Sequence, residues 1–162
     1  MFPYVGKLVH DLTLDQIRTT LPEVFALTDS HRVAVRYNIE TKVEADKPEN
    51  SAAPQQFVDV ILAAVRAADK DKVDKVEIQS FDWRTLPMVR AAEPSIPLVA
   101  LWDETTWVPG SPWLNGIDPV VVGDPIAGAT LVGAGIITDY PGRLRAVMTQ
   151  LGMPLPASYR IS

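Results

Sequence analysis

The sequence predicts an α/β fold of parallel strands joined by crossover helices, and three observations predict it. Short β-branched runs alternate with amphipathic segments along the chain. The 162 residues suit one domain with room for a real core. Hydrophobic residues make up 47% against 22% charged, which sets the chain apart from disordered and coiled-coil sequences. Strands alternating with helices pair in parallel through right-handed crossovers. The sheet is then doubly wound or part of a β/α barrel, and in both cases chemistry gathers at the carboxyl ends of the strands.

Taken in order, Thr13 to Ile17 offers a short helical turn. Thr20-Leu21-Pro22-Glu23 starts a firmer helix with a capping box, a proline in the tolerant first turn, and Val24, Phe25 and Leu27 on its apolar side. Val33 to Thr41 reads as a strand in which Val33, Val35, Tyr37 and Ile39 alternate with polar residues. The polar stretch from Val43 to Pro54 is a loop. Phe57, Val58, Ile61, Leu62 and Val65 then recur at helical spacing.

Val73 to Phe81 is a second strand, Thr85 to Ala92 a helix, and Ile96 to Leu101 a third strand. Trp102 to Pro125 dissolves into a long loop with one strand at Val120 to Val122. Gly135 to Thr138 is a further strand. Asp139 caps a last helix carrying Leu144, Val147, Met148 and Leu151, which Gly152 closes. Pro154 to Ser162 is a terminal tail.

Composition narrows the chemistry. A net charge of −5 leaves no basic footprint for nucleic acid. The absence of cysteine removes a disulfide scaffold, a thiolate zinc site and a cysteine nucleophile. No apolar run approaches the ~20 residues of a membrane span. The first residues lack the order of a signal peptide, so the chain as written reads as cytoplasmic. No Walker loop, dinucleotide fingerprint or Gly-x-Ser-x-Gly elbow occurs.

The strand-end rule selects Asn38, Glu40, Lys42, Gln79, Ser80, Trp102, Asp103, Thr138 and Asp139. Glu40 and Lys42 end the first clear strand on one face. A hard divalent cation takes carboxylate oxygens, and a neighbouring lysine holds a phosphate oxygen as a point charge. The same two residues also read as an exposed salt bridge. Gln79 and Ser80 could donate to a ligand and Trp83 could wall a pocket, or Ser80 and Asp82 could simply cap the next helix. Trp102, Trp107 and Trp113 either line a substrate mouth or anchor an irregular segment. His31 reads as solvated, and His10 as a surface or capping residue.

Asn38-Ile39-Glu40-Thr41-Lys42, Val76-Glu77-Ile78-Gln79-Ser80-Phe81-Asp82-Trp83, Pro97 to Leu101 and Gly135 to Pro141 together resemble the glycerophosphodiester phosphodiesterase family. The opening Phe2 to Val9 and the segment Leu21 to Leu27 resemble its bacterial members. The resemblance implies a (β/α) barrel that hydrolyses glycerophosphodiesters to an alcohol and glycerol 3-phosphate. It also implies one divalent metal, calcium or magnesium, held by three carboxylates, with two histidines as general acid and base. Glu40 matches one metal carboxylate and Lys42 the lysine near the phosphate, with Gln79 and Ser80 beside the substrate.

Several family features are expected to be missing. The His-Arg-Gly opening and the Glu-x-Asp pair would lie ahead of Met1, which leaves the catalytic residues unknown. His10-Asp11 imitates the second histidine motif, but this stretch aligns better with a later segment. The segments between Arg18 and Leu21 and between Asp124 and Gly135 look shortened. A full barrel takes about 250 residues, so a chain of 162 with roughly five strands reads as a partial barrel, a single incomplete domain over 1–162.

Three expectations follow from this reading. The first is a member of the family impaired in catalysis, acting on a small phosphodiester with a weakly bound metal. The second is a non-catalytic binding or assembly module that forms a homodimer through its open barrel face. The third, a flavodoxin-like regulatory domain, lacks the acidic cluster it would need near Val9.

Overall fold

The computed structural model describes residues 20–31, 34–68, 70–138 and 140–155. Thr13 to Ile17, His10, Asp139 and the tail beyond Leu155 lie outside them. Among the described residues the order is α1 (Leu21–Ser30), β1 (Tyr37–Glu40), α2 (Pro54–Ala67), β2 (Val76–Ser80), α3 (Thr85–Ala92), β3 (Leu98–Ala100), α4 (Pro119–Val122), α5 (Pro125–Leu131), β4 (Gly135–Ile136) and α6 (Pro141–Gln150). The four strands form one parallel sheet in the order β1-β2-β3-β4. Each strand pairs with the next in sequence, as in the wall of a partial (β/α) barrel.

Local chemistry explains the helices. At the start of α1, Glu23 accepts from the Thr20 amide at 2.5 Å and from its hydroxyl at 2.9 Å, and these bonds hold the Glu23 carboxyl below its ordinary pKa. In α2 the predicted stripe is the buried one: Val58, Ile61, Leu62 and Val65 all face the core. Each such side chain contributes about 1.5–3 kcal/mol on burial. Pro87 is accommodated because α3 begins only two residues earlier, where the amides have no intrahelical partner. The close of α6 at Gly152 is a Schellman motif, with Gly152 N donating to Thr149 O and Met153 N to Met148 O.

The long segment after β3 departs from expectation. Val120 to Val122 is not a strand but part of α4. Asp118 accepts from Val120 N and Pro119 sets the first turn, so the cap outweighs three β-branched residues. The same device recurs at α5, where Asp124 accepts from Ile126 N ahead of Pro125. Gly133, at φ +67°, closes α5 by a second Schellman motif and turns the chain into β4. The shortened stretch between Asp124 and Gly135 is therefore a helix delivering β4 directly beside β3.

The strands are also shorter than predicted. Residues 70–75 wind into a 3-10 helix, so β1 finds its partner only from Val76 onward.

Period-two alternation and the parallel register sort the sheet into two faces. Tyr37 and Ile39, Val76, Ile78 and Ser80, and Leu98 and Ala100 point toward the helices and their core. Asn38, Glu40, Glu77 and Gln79 point the other way. Trp83 does not wall a pocket. It is fully buried in the core and its indole donates to Leu101 O at 2.8 Å.

At the amino end of the sheet, Lys72 is 3% exposed. Its ammonium donates to Asp29 Oδ1 at 2.5 Å and to Tyr37 Oη at 2.9 Å. It also lies 5.4 Å and 5.0 Å from the ring centroids of Phe25 and Tyr37, which themselves meet edge to face. The bonds to Asp29 and then to Tyr37 raise the Lys72 pKa against the effect of burial.

Candidate functional site

The carboxyl ends of β1, β2 and β3 form a rim. Glu40 ends β1 opposite Gln79 of β2, and Ser80 stands opposite Ala100 of β3. The Glu40 carboxylate meets Lys42 Nζ at 2.8 Å, with the lysine side chain 72% exposed and the glutamate 20%. Both line a pocket of about 210 Å³ that also includes Phe81, Asp103 and Trp113. Gln79 Oε1 accepts from Asn38 Nδ2 at 2.9 Å, and Gln79 stands at the end of β2 beside Glu40 without lining the pocket itself.

Between Glu40 and Lys42 the chain is anchored from behind. Thr41 is buried, its amide donates to Gln79 O at 3.0 Å, and its hydroxyl donates to Ser80 Oγ at 2.6 Å. Thr85 Oγ1 lies 3.1 Å from the same hydroxyl. Ser80 is itself fully buried and accepts from Asp82 N at 3.0 Å, so its hydroxyl serves this internal network and faces away from the rim pocket. Asp82, also fully buried, is held by Arg84, whose Nε donates at 2.8 Å.

Asp103 follows β3 and belongs to both rim cavities. Burial pushes its pKa up, but bonds from Thr105 and Thr106 outweigh that and hold it below the ordinary carboxylate value. The second cavity, about 720 Å³, opens beyond β3 and β4 and is lined by Phe81, Trp102, Trp107 and Thr138 among others. Trp107 also packs on Trp83 at 5.6 Å, so this tryptophan is both a wall and an anchor. Asp124 and Pro125, expected in a loop, start α5 and with Ile126 line this cavity; the Asp-Pro cap is the local signal for that start.

The pattern of the glycerophosphoryl diester phosphodiesterase family matches residues 5–125. The chain belongs to this family. Among solved structures, a candidate glycerophosphodiester phosphodiesterase from Galdieria sulphuraria is similar at 15% identity and a TM-score of 0.57, over 88% of this chain and 55% of that one. A candidate glycerophosphoryl diester phosphodiesterase from Silicibacter pomeroyi DSS-3 is similar at 22% identity and a TM-score of 0.44, over 82% of this chain and 57% of that one. This chain thus spans just over half the length of these structures. No curated protein matches it.

Family membership generally brings a divalent metal, and the described donors do not fit one. Glu40 is tied to Lys42, and among the described residues no group of three His, Cys, Asp or Glu side chains could share an ion. No described helix is long and apolar enough to cross a membrane.

Proposed function

We propose that the chain recognises glycerophosphodiesters at the rim of β1 and β2, as a phosphodiesterase-family member with little turnover of its own. The reaction of the family type would yield an alcohol and glycerol 3-phosphate. The placement of Glu40, Lys42 and Gln79 together at adjacent carboxyl ends supports the reading most directly. The Lys42 ammonium neutralises a phosphodiester oxygen as a point charge, and the Gln79 amide donates a second hydrogen bond. Glu40 competes with the phosphate for Lys42, so binding through this pair alone is weak. Glu44 and Asp103 also line the pocket, but among the described residues no three such side chains could share an ion, so calcium and magnesium, which want about six oxygens, are held poorly.

Calorimetry with glycerophosphocholine and glycerophosphoglycerol, followed by an enzyme-coupled assay for glycerol 3-phosphate with calcium or magnesium present, tests both parts. Weak binding that is lost in Lys42→Ala, with little product, is the expected result. Robust calcium-dependent release would overturn the impairment, and no binding of either diester would overturn the site.

A second reading, a non-catalytic assembly module that pairs with a second copy, draws on the exposed Val120, Val121 and Leu131 of α4 and α5. A mass that stays monomeric at every concentration in light scattering removes it.

A further inference from the structure

We propose that two copies of this chain join edge to edge, with β4 of each beside β1 of the other, and close an eight-stranded parallel barrel. The inference rests on the reading of the chain as a module that pairs with a second copy. It moves the contact from α4 and α5 to the two edges of the sheet.

Both edges are open. The sheet runs β1-β2-β3-β4, and neither β1 nor β4 has a second strand partner among the described residues. An unpaired edge presents a row of N–H and C=O groups to another strand. Four strands are half of the eight that close a β/α barrel. A parallel sheet covered by helices on both faces reads as a near-continuous apolar run. Here β1 and β2 turn Asn38, Glu40, Glu77 and Gln79 to the second face, so further strands, and not a second helical layer, are what the sheet lacks.

The helices at the two edges point to the same contact. In a right-handed β/α wall the helix after each strand covers the groove to the next one, as α3 does by touching both β2 and β3. α6 follows β4 and meets α5, yet it buries none of its residues, although it carries Leu144, Val147 and Met148. Ile137 and Tyr140, between β4 and α6, are 50% and 71% exposed, and at the other edge α1 leaves Leu27 59% exposed. α6 has Arg143 and Arg145 and no acid, whereas α1 has Glu23 and the Lys72-bonded Asp29 and no base. Closure brings α6 of one copy beside α1 of the other, so apolar surface and opposite charges meet across each seam.

A two-fold axis along the barrel keeps all eight strands parallel and brings both sets of carboxyl ends to one mouth. Each copy then contributes its Glu40 and Lys42 there, so a rim with too few donors in one copy gains a second set.

Cysteine substitution tests this cleanly, since the chain has none. Asn38 lies on β1 and Ile137 directly follows β4, both exposed and at opposite edges of the sheet. Within one copy β2 and β3 stand between those edges, too far apart for a disulfide. The full chain bearing Asn38→Cys and Ile137→Cys is oxidised and run without reductant beside each single variant. In the closed barrel like residues stand on opposite walls, so neither single variant cross-links. A mass near twice 17.8 kDa in light scattering and a discrete covalent dimer from the double variant alone are the expected results. Arg143→Glu should shift the mass back toward 17.8 kDa. Amide exchange of the unaltered chain needs no substitution: residues 37–40 and 135–138 should exchange more slowly as the chain is concentrated.

A monomer at every concentration would overturn this inference together with the second-copy reading. A dimer whose edge amides exchange freely, or that cross-links through a single variant, would overturn the edge contact and leave assembly through α4 and α5. A ladder of ever larger covalent species would mean open chains of sheets and would overturn closure.

Discussion

Two lysine–carboxylate pairs stand at opposite ends of this sheet, and their difference is one of environment. At the amino end, Lys72 is buried between Phe25 and Tyr37 and bonded to Asp29. At the carboxyl end, Lys42 is 72% exposed and bonded, among the described residues, to Glu40 alone. The buried ammonium has lost its water, so removing a partner leaves a charge with nowhere to go. The exposed one keeps its water, so the pair contributes little to folding and stays free to exchange partners. The amino end of such a sheet is built for stability and the carboxyl end for ligands.

Breaking the pair that holds the buried lysine should have the largest effect. Asp29→Ala leaves Lys72 with only the Tyr37 hydroxyl among the described residues and, because Asp29 itself is 60% exposed, should cost about 2–3 kcal/mol in urea unfolding. A cost below about 0.5 kcal/mol would mean that the lysine is not desolvated as described.

Next comes Gly128, which carries the packing behind the carboxyl rim. A Cβ there would stand 2.6 Å from Trp107 Cη2 and 3.2 Å from Trp83 Cζ3, so Gly128→Ala should cost about 1–3 kcal/mol and shift the Trp107 side chain. Unchanged stability with unchanged tryptophan fluorescence would contradict that contact.

Titration separates the ends by sign. Lys72 has its pKa raised in the fold, so its contribution is fully present below the unfolded value near about 10.4 and disappears as pH rises through the folded one. Tyr37, lowered by its bonds to Lys72 and Thr28 in spite of burial, opposes this loss in part. Asp103 is lowered, so its contribution is present above the unfolded value near about 3.9 and fades as pH falls through the folded one. Melting temperatures across pH should therefore show an alkaline decline that Lys72→Met flattens and an acid decline that Asp103→Asn flattens.

The smallest effect on folding belongs to Lys42→Ala. Its stability should stay within about 0.5 kcal/mol of the parent while diester binding is lost. Equal losses of both would make the rim pair structural.

Much of this was legible beforehand. The α2 stripe, the α1 capping box, the Gly152 close of α6 and the parallel α/β class all follow from local patterns that tertiary structure reinforced. The Asp118-Pro119 and Asp124-Pro125 starts were equally local, but three valines in a row outweighed them in a reading by β-propensity. The Lys72 cluster could not be read at all. It joins residues 29, 37 and 72, and nothing in their spacing announces that they meet. The place of Ser80 at its strand end follows from sequence, whereas only the neighbouring Thr41 and Thr85 reveal where its hydroxyl is used.

Sequence alone determined the parallel α/β class, the buried stripe of α2 and the end of the sheet at which acidic, basic and amide side chains collect, because periodicity and caps act within a few residues. The worth of each charge was decided by tertiary structure. Two lysines with the same chemistry differ because one is enclosed by rings and helices from distant parts of the chain and the other is left in water.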